Sequence, residues 1–162
     1  MVTNIKAVAI TVSDRSSRGE QDDVSGRALV ELLREAGADV VAHEVVADDL
    51  IPLADKLREF AERSDVNLII TTGGTGVGPR DNTPEATSQV IEREAPGLAE
   101  AMRMETLKHT PMAMISRGVC GIRAGTLIIN LPGSPNAVRE SFAVIKPILN
   151  HAIILLSGRQ DH

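Results

Sequence analysis

The sequence predicts an α/β domain built on a parallel sheet with helices over both faces. Three observations predict it. Short, β-branched apolar runs alternate with segments whose apolar residues recur at helical spacing. The third run opens into a loop carrying four glycines, Gly73, Gly74, Gly76 and Gly78, where ligands of such sheets usually sit. Finally, 162 residues with no repeat, low-complexity tract or linker suit one domain, residues 1–162.

Residues 5–12 (IKAVAITV) read as a buried first strand, and residues 13–22 as a polar loop containing Gly19. From Asp23, the stripe Val24, Ala28, Leu29, Leu32, Leu33 and Ala36 reads as a helix closed by Gly37. Residues 40–47 form a second strand. Asp49 is expected to cap the next helix, whose stripe is Leu50, Leu53, Leu57, Phe60 and Ala61. Residues 66–72 are the third strand. Thr83 followed by Pro84 reads as an N-cap with proline at N1, starting a helix that runs to about Arg93. A further helix follows Pro96 and ends near Lys108. Residues 119–122 and 126–131 read as strands joined by a tight turn at Arg123-Ala124-Gly125. Ser134-Pro135 repeats the cap-and-proline start, with Val138, Phe142, Ile145 and Leu149 as the buried face of the last helix.

Composition narrows the function. With 17 basic against 22 acidic residues the net charge is −5, and no basic run could form a nucleic-acid-binding face. Phe60 and Phe142 are the only aromatics, so no platform for stacking bases is expected. Cys120 is the single cysteine, which suits a reducing compartment. His43, His109, His151 and His162 have no metal-ligand spacing. After Met1 to Asn4, Lys6 precedes only a six-residue apolar run, too short for a signal peptide. Residues 152–156 are too few to span a bilayer. A cytoplasmic protein without a membrane partner is the expectation.

The segment from Thr71 to Gly78 is the strongest local signal. Without Cβ atoms its amides can approach a phosphate closely, and the helix starting near Pro84 would add its dipole. The alternative is a flexible connector. The loop is not a P-loop, since no lysine lies in it, and Pro79 stands where a dinucleotide fingerprint needs its third glycine. Arg80 could pair with phosphate and Asp81 could hold magnesium, or the two could be a solvated arginine and a cap. Of Asp48 and Asp49, the latter suits the cap, which leaves Asp48 to face the crevice beside the third strand's loop. Ser13, Ser16 and Ser17 lack a nucleophile elbow, so nucleophilic hydrolysis has little support.

Taken in series, residues 11–15 (TVSDR), 23–26 (DVSG), 72–87 (TGGTGVGPRDNTPEAT), 116–117 (SR), 121–123 (GIR) and 127–135 (LIINLPGSP) resemble the molybdopterin adenylyltransferase family of molybdenum-cofactor biosynthesis. The resemblance covers nearly the whole chain. It implies a three-layer αβα sandwich on a mostly parallel sheet, assembled as a homotrimer. It also implies transfer of AMP from ATP to the molybdopterin phosphate with release of pyrophosphate. The family's two aspartates fall on Asp48 and Asp81, expected to organise magnesium. Ser13, Asp14, Gly73, Gly74, Thr75 and Gly76 would hold ATP. Arg80, Thr106 and Ser134 would contact molybdopterin, and a molybdate-insertion protein would act downstream. Ala47-Asp48-Asp49 replaces the family's commoner Pro-Asp-Glu, so either aspartate could be the catalytic one. The alternatives are a silent molybdopterin-binding module of the same fold and a nucleotide or phosphosugar hydrolase on a related one.

Overall fold

The computed structural model describes residues 4–159. The readings placed on Met1 to Thr3 and on His162 lie outside them. Six strands form one sheet in the order β2-β1-β3-β6-β5-β4: β1 (Lys6–Val12), β2 (Asp39–Val46), β3 (Leu68–Thr72), β4 (Arg93–Glu94), β5 (Cys120–Arg123) and β6 (Thr126–Leu131). The pairs β1–β2, β1–β3 and β3–β6 are parallel, whereas β5 runs antiparallel to both β4 and β6. The sheet is therefore mixed and mostly parallel.

The helices are α1 (Asp14–Ser17), α2 (Val24–Glu35), α3 (Leu50–Ala61), α4 (Thr83–Val90), α5 (Pro96–Leu107) and α6 (Pro135–Leu156), with a 3-10 turn at Pro111–Ile115. The period of two along each strand splits the core into two layers. Ala7, Ala9, Leu68, Ile70, Leu127 and Ile129 pack against Leu29 and Leu33 of α2, Met102 of α5 and Phe142 and Ile145 of α6. On the opposite face, Val8, Ile10, Ile69 and Ile128 pack against Leu53, Leu57 and Phe60 of α3 and Ala86 and Val90 of α4. Each central strand is covered on both sides, which is why it reads as a continuous apolar run. This is a three-layer αβα sandwich.

Several local expectations change. The loop after β1 contains the short helix α1, started by Ser13, whose hydroxyl accepts from the Ser16 amide at 3.1 Å. Helix α4 ends at Val90, three residues early. Ile91 turns extended, and β4 then adds to the sheet edge beside β5. Asp49 occupies the cap position of α3 but makes no side-chain cap bond, because its carboxylate accepts from Arg80 instead. Thr83 is likewise not the cap of α4. Asn82 holds that position, and the Thr83 hydroxyl donates to the Gly73 carbonyl at 2.9 Å. Strands β2 and β3 are not neighbours, since β1 lies between them. No helix among the described residues is long and apolar enough to cross a membrane.

Candidate functional site

The site lies beyond the carboxyl ends of β1, β3 and β6, where three loops meet. Gly73 and Gly74 follow β3 with positive φ, at 100° and 68°. A Cβ on Gly73 would lie 2.3 Å from the Val12 carbonyl oxygen. One on Gly74 would lie 2.3 Å from Thr83 Oγ1 and 2.6 Å from Asp48 Oδ2. These two glycines are required by conformation and by close approach together. Gly76 is different. Its φ is not positive, and a Cβ there would instead meet Asp81 Oδ2 at 2.9 Å.

Asp48 sits beneath this loop with 4 % of its surface exposed. Its Oδ1 accepts from the Asn82 amide at 3.0 Å, and Asn82 Nδ2 donates back to the Asp48 carbonyl at 3.1 Å. Burial, reinforced by the charges of Asp81 and Asp14, pushes the Asp48 carboxyl up to about 6 despite that amide bond. The Asp48 amide in turn donates to Asp14 Oδ1 at 2.9 Å. Arg80 grips Asp14 through Nε at 3.0 Å and Nη2 at 2.9 Å and reaches Asp49 at 3.1 Å. The Arg80 bonds, with the Asp48 amide, hold the Asp14 carboxyl below the ordinary carboxylate range. Asp81 closes its own turn, Oδ2 accepting from the Gly78 amide at 2.9 Å.

Two cavities flank the loop. The larger, about 560 Å³, is lined by Gly74, Thr75, Gly76, Asp81, Thr106 and Ser134, together with the pocket-facing sides of α5 and α6 and the 3-10 turn. The smaller, about 280 Å³, is lined by Thr11, Ser13, residues 21–25, Gly73 and Gly74. Gly74 and Gly133 belong to both and form the saddle between them. A Cβ on Gly133 would come within 3.2 Å of the Gly73 Cα, so the saddle is backbone against backbone.

The structure thus brings Gly73, Gly74, Thr75, Gly76, Asp48, Asp81, Ser13, Thr106 and Ser134 around one locus. Asp14 lines neither cavity and serves as the anchor of Arg80 and Asp48. Arg80, expected to meet ligand phosphate, also lines neither: its side chain is 59 % exposed, and its Nε and Nη2 are spent on Asp14 and Asp49. The side chain that organises the loop is Arg117, which carried no role in the sequence. Its Nε donates to the Gly76 carbonyl at 2.7 Å, its Nη2 to the Asp81 carbonyl at 2.9 Å, and its Nη1 pairs with Glu85. A lone arginine inside the largely apolar stretch from Met112 to Ile122 was the available signal.

Residues 8–151 match the family described as "Probable molybdopterin binding domain". The chain is 40 % identical to the molybdopterin adenylyltransferase of Helicobacter pylori strain J99, over 92 % of this chain and 86 % of that one. It is 43 % identical to the molybdenum cofactor synthesis protein cinnamon of Drosophila melanogaster. That match takes in 91 % of this chain but only 25 % of the larger fly protein. Among solved structures, the molybdopterin biosynthesis enzyme MoaB of Thermus thermophilus superposes with a TM-score of 0.89 at 47 % identity, covering 96 % of this chain and 98 % of that one. The molybdopterin biosynthesis Mog protein of Mycobacterium ulcerans follows with a TM-score of 0.88 at 40 % identity, covering 94 % and 99 %. With the family match, the curated relatives and the solved structures in agreement, this chain belongs to the molybdopterin-binding-domain family of molybdenum-cofactor biosynthesis proteins.

Proposed function

We propose that the protein is a molybdopterin adenylyltransferase that uses ATP. The observation that carries this reading is the pair of cavities meeting at the Gly74–Gly133 saddle with Asp48 and Asp81 beside it. A two-substrate transfer needs two chambers and a shared point of reaction, and a site for one small substrate needs only one.

Molybdopterin occupies the larger cavity, beside Thr106 and Ser134, and ATP the smaller, beside Ser13 and residues 21–25. Across the saddle, a molybdopterin phosphate oxygen attacks the α-phosphorus of ATP. The bond from that phosphorus to the bridging oxygen of the β-phosphate breaks, and pyrophosphate leaves with the electron pair. The work asked of the protein is alignment and charge management. The bare amides of the glycine loop lie close to the phosphates, and the N-terminus of α6, capped by Ser134, adds a positive dipole end.

The donor set fits magnesium, which takes one or two carboxylates together with phosphate oxygens and water. Burial and neighbouring negative charge have already made the Asp48 carboxylate costly to ionise, a condition that a divalent cation relieves. Asp81 and Asp48 would hold the ion, and when bound it offsets phosphate charge. Cytoplasmic location, a homotrimeric assembly and a downstream molybdate-insertion protein complete the reading. The assembly and the downstream protein rest on the family resemblance and the location on the single cysteine; sedimentation, pull-down and fractionation check them.

The deciding experiment incubates the protein with ATP and molybdopterin and measures pyrophosphate release. Release that requires both substrates supports the reading. ATP consumption without molybdopterin favours a hydrolase, and binding of molybdopterin without release favours a silent binding module.

A further inference from the structure

The α5–α6 wall of the larger cavity carries polar side chains that are only partly used within the chain. Met102, Arg103 and Thr106 bring one face of α5 to it, and Ala137, Glu140 and Ser141 bring one face of α6. Thr106 is committed, donating to the Met102 carbonyl at 2.7 Å. Asn130 at the floor is committed too, through Thr71, Thr87 and the Val119 amide. Three side chains are not. Ser141 is 1 % exposed, lines the cavity and makes no side-chain hydrogen bond among the described residues. Glu140 makes no ion pair or hydrogen bond among them. Arg103 spends Nη1 on the carbonyls of Gly118, at 3.0 Å, and Ser116, at 3.4 Å, which leaves Nε and Nη2 unused.

Arg103 and Glu140 carry opposite charges, line the same cavity and form no ion pair with each other at 4.0 Å or less. A guest that presents donors to the acid and acceptors to the base and the hydroxyl would match all three. A purely apolar guest would give none of the three a partner. A phosphate would suit Arg103 and be repelled by Glu140.

We infer that this α5–α6 wall reads the pyrimidine edge of a 2-amino-4-oxo pteridine, with Glu140 as the specificity-determining acceptor. Glu140 accepts from the 2-amino group and the N3–H, a neighbouring pair of donors that matches two carboxylate oxygens. Arg103 donates to the 4-oxo group, and Ser141 completes the ring of contacts. The inference rests on the reading that molybdopterin enters the larger cavity. It adds which end of the molecule lies deepest and which substituent is discriminated.

Two fluorescent probes separate these elements: pterin, which carries the 2-amino and 4-oxo groups, and lumazine, in which a 2-oxo group replaces the amine. Titration of the full chain is expected to favour pterin over lumazine by about tenfold or more, since the 2-oxo group faces the Glu140 carboxylate. Glu140→Gln is expected to reduce pterin affinity by about tenfold and bring the two ligands within about threefold of each other. Arg103→Gln should weaken both ligands alike, because both keep the 4-oxo group, and Arg103→Lys should restore part of that loss. Thermal melts identify any variant whose loss is a folding defect; Glu140→Ala then replaces Glu140→Gln, with the same expected collapse of the ratio, and Arg103→Lys replaces Arg103→Gln. Equal affinity of the unaltered protein for the two probes, or a pterin-to-lumazine ratio that Glu140→Gln leaves unchanged, overturns the inference. If pyrophosphate release from ATP and molybdopterin proceeds while the ratio fails, the inference falls alone. If neither pterin nor molybdopterin binds, the assignment of the cavity falls with it.

Discussion

The Asn82 amide donates to Asp48 Oδ1 at 3.0 Å, so a buried carboxylate from the end of β2 holds the far end of a glycine loop that starts two strands away. The bond fixes the loop but leaves an anion in a poorly solvated place, where its acid form is the more comfortable one.

That conflict has a measurable consequence for Asp48→Asn. The folded carboxyl titrates near 6, against a usual value of 3.8. A raised carboxyl contributes stability in full below its unfolded value, and that contribution disappears as pH rises through its folded one. At pH 8, without divalent cation, ionised Asp48 should cost about 2–3 kcal/mol. Asparagine keeps an acceptor for the Asn82 amide and carries no charge. Urea midpoints should therefore show the variant more stable than the parent at pH 8, with the gap closing near pH 4. A variant less stable at pH 8 would contradict the buried-anion account.

For Asp81→Asn the expected loss is in turnover and not in fold. The amide oxygen can still accept from Gly78, so the turn survives. The charge facing the larger cavity does not. Pyrophosphate release should drop about 100-fold or more while the melting temperature moves by only a degree or two. Near-normal release from the folded variant would remove Asp81 from the mechanism.

Asp49→Ala should be nearly silent. As an N-cap, its loss would cost about 1 kcal/mol. In the structure it accepts only from the largely exposed Arg80, and exposed pairs of that kind contribute about 0.5 kcal/mol or less. Denaturant melts decide between the values. Turnover should stay within about twofold, and a large loss of activity would exchange the roles of Asp48 and Asp49.

The glycines should separate by mechanism. Gly74→Ala meets a positive φ and two side-chain oxygens under 3 Å away. It should destabilise the protein by about 1–2 kcal/mol or more. Gly76→Val needs no unusual φ but displaces the Asp81 carboxylate. It should weaken molybdopterin about tenfold, or about 1.4 kcal/mol, with less effect on ATP because Gly76 lines only the larger cavity. Calorimetric titration against each ligand checks this, and unchanged molybdopterin affinity would detach the glycine from the site.

What was legible in the sequence follows from the range of the forces involved. Helices α2 and α3 and the central strands were visible because burial against a sheet imposes a local period. The glycine loop was visible because its chemistry and spacing are local, whereas Asp48 and Asp81 were named together only through the resemblance of the segments that carry them. The cap assignments for Asp49 and Thr83 failed for the opposite reason. Each residue has cap chemistry, but a partner 31 or 10 residues away took the side chain. Strand β4, two residues long on the sheet edge, has no period to detect. Arg103, Glu140 and Ser141 fall on helical spacings indistinguishable from core positions until α5 and α6 are seen to part around a cavity.

Arg117 gives the four-glycine loop an unexpected character. A glycine-rich segment is ordinarily the part of a chain with the most conformational entropy, about 1–2 kcal/mol per residue to immobilise. Here one guanidinium ties the carbonyls of Gly76 and Asp81 together, while the Arg117 amide holds the Thr75 carbonyl at 2.8 Å. The ordering cost is thus met when the protein folds and not when a ligand arrives. The loop behaves as a cast shape whose glycines supply room instead of motion. Amide hydrogens between Gly74 and Asp81 that are bonded in the resting state, such as those of Gly78 and Asp81, should then exchange no faster after ligand is removed than before.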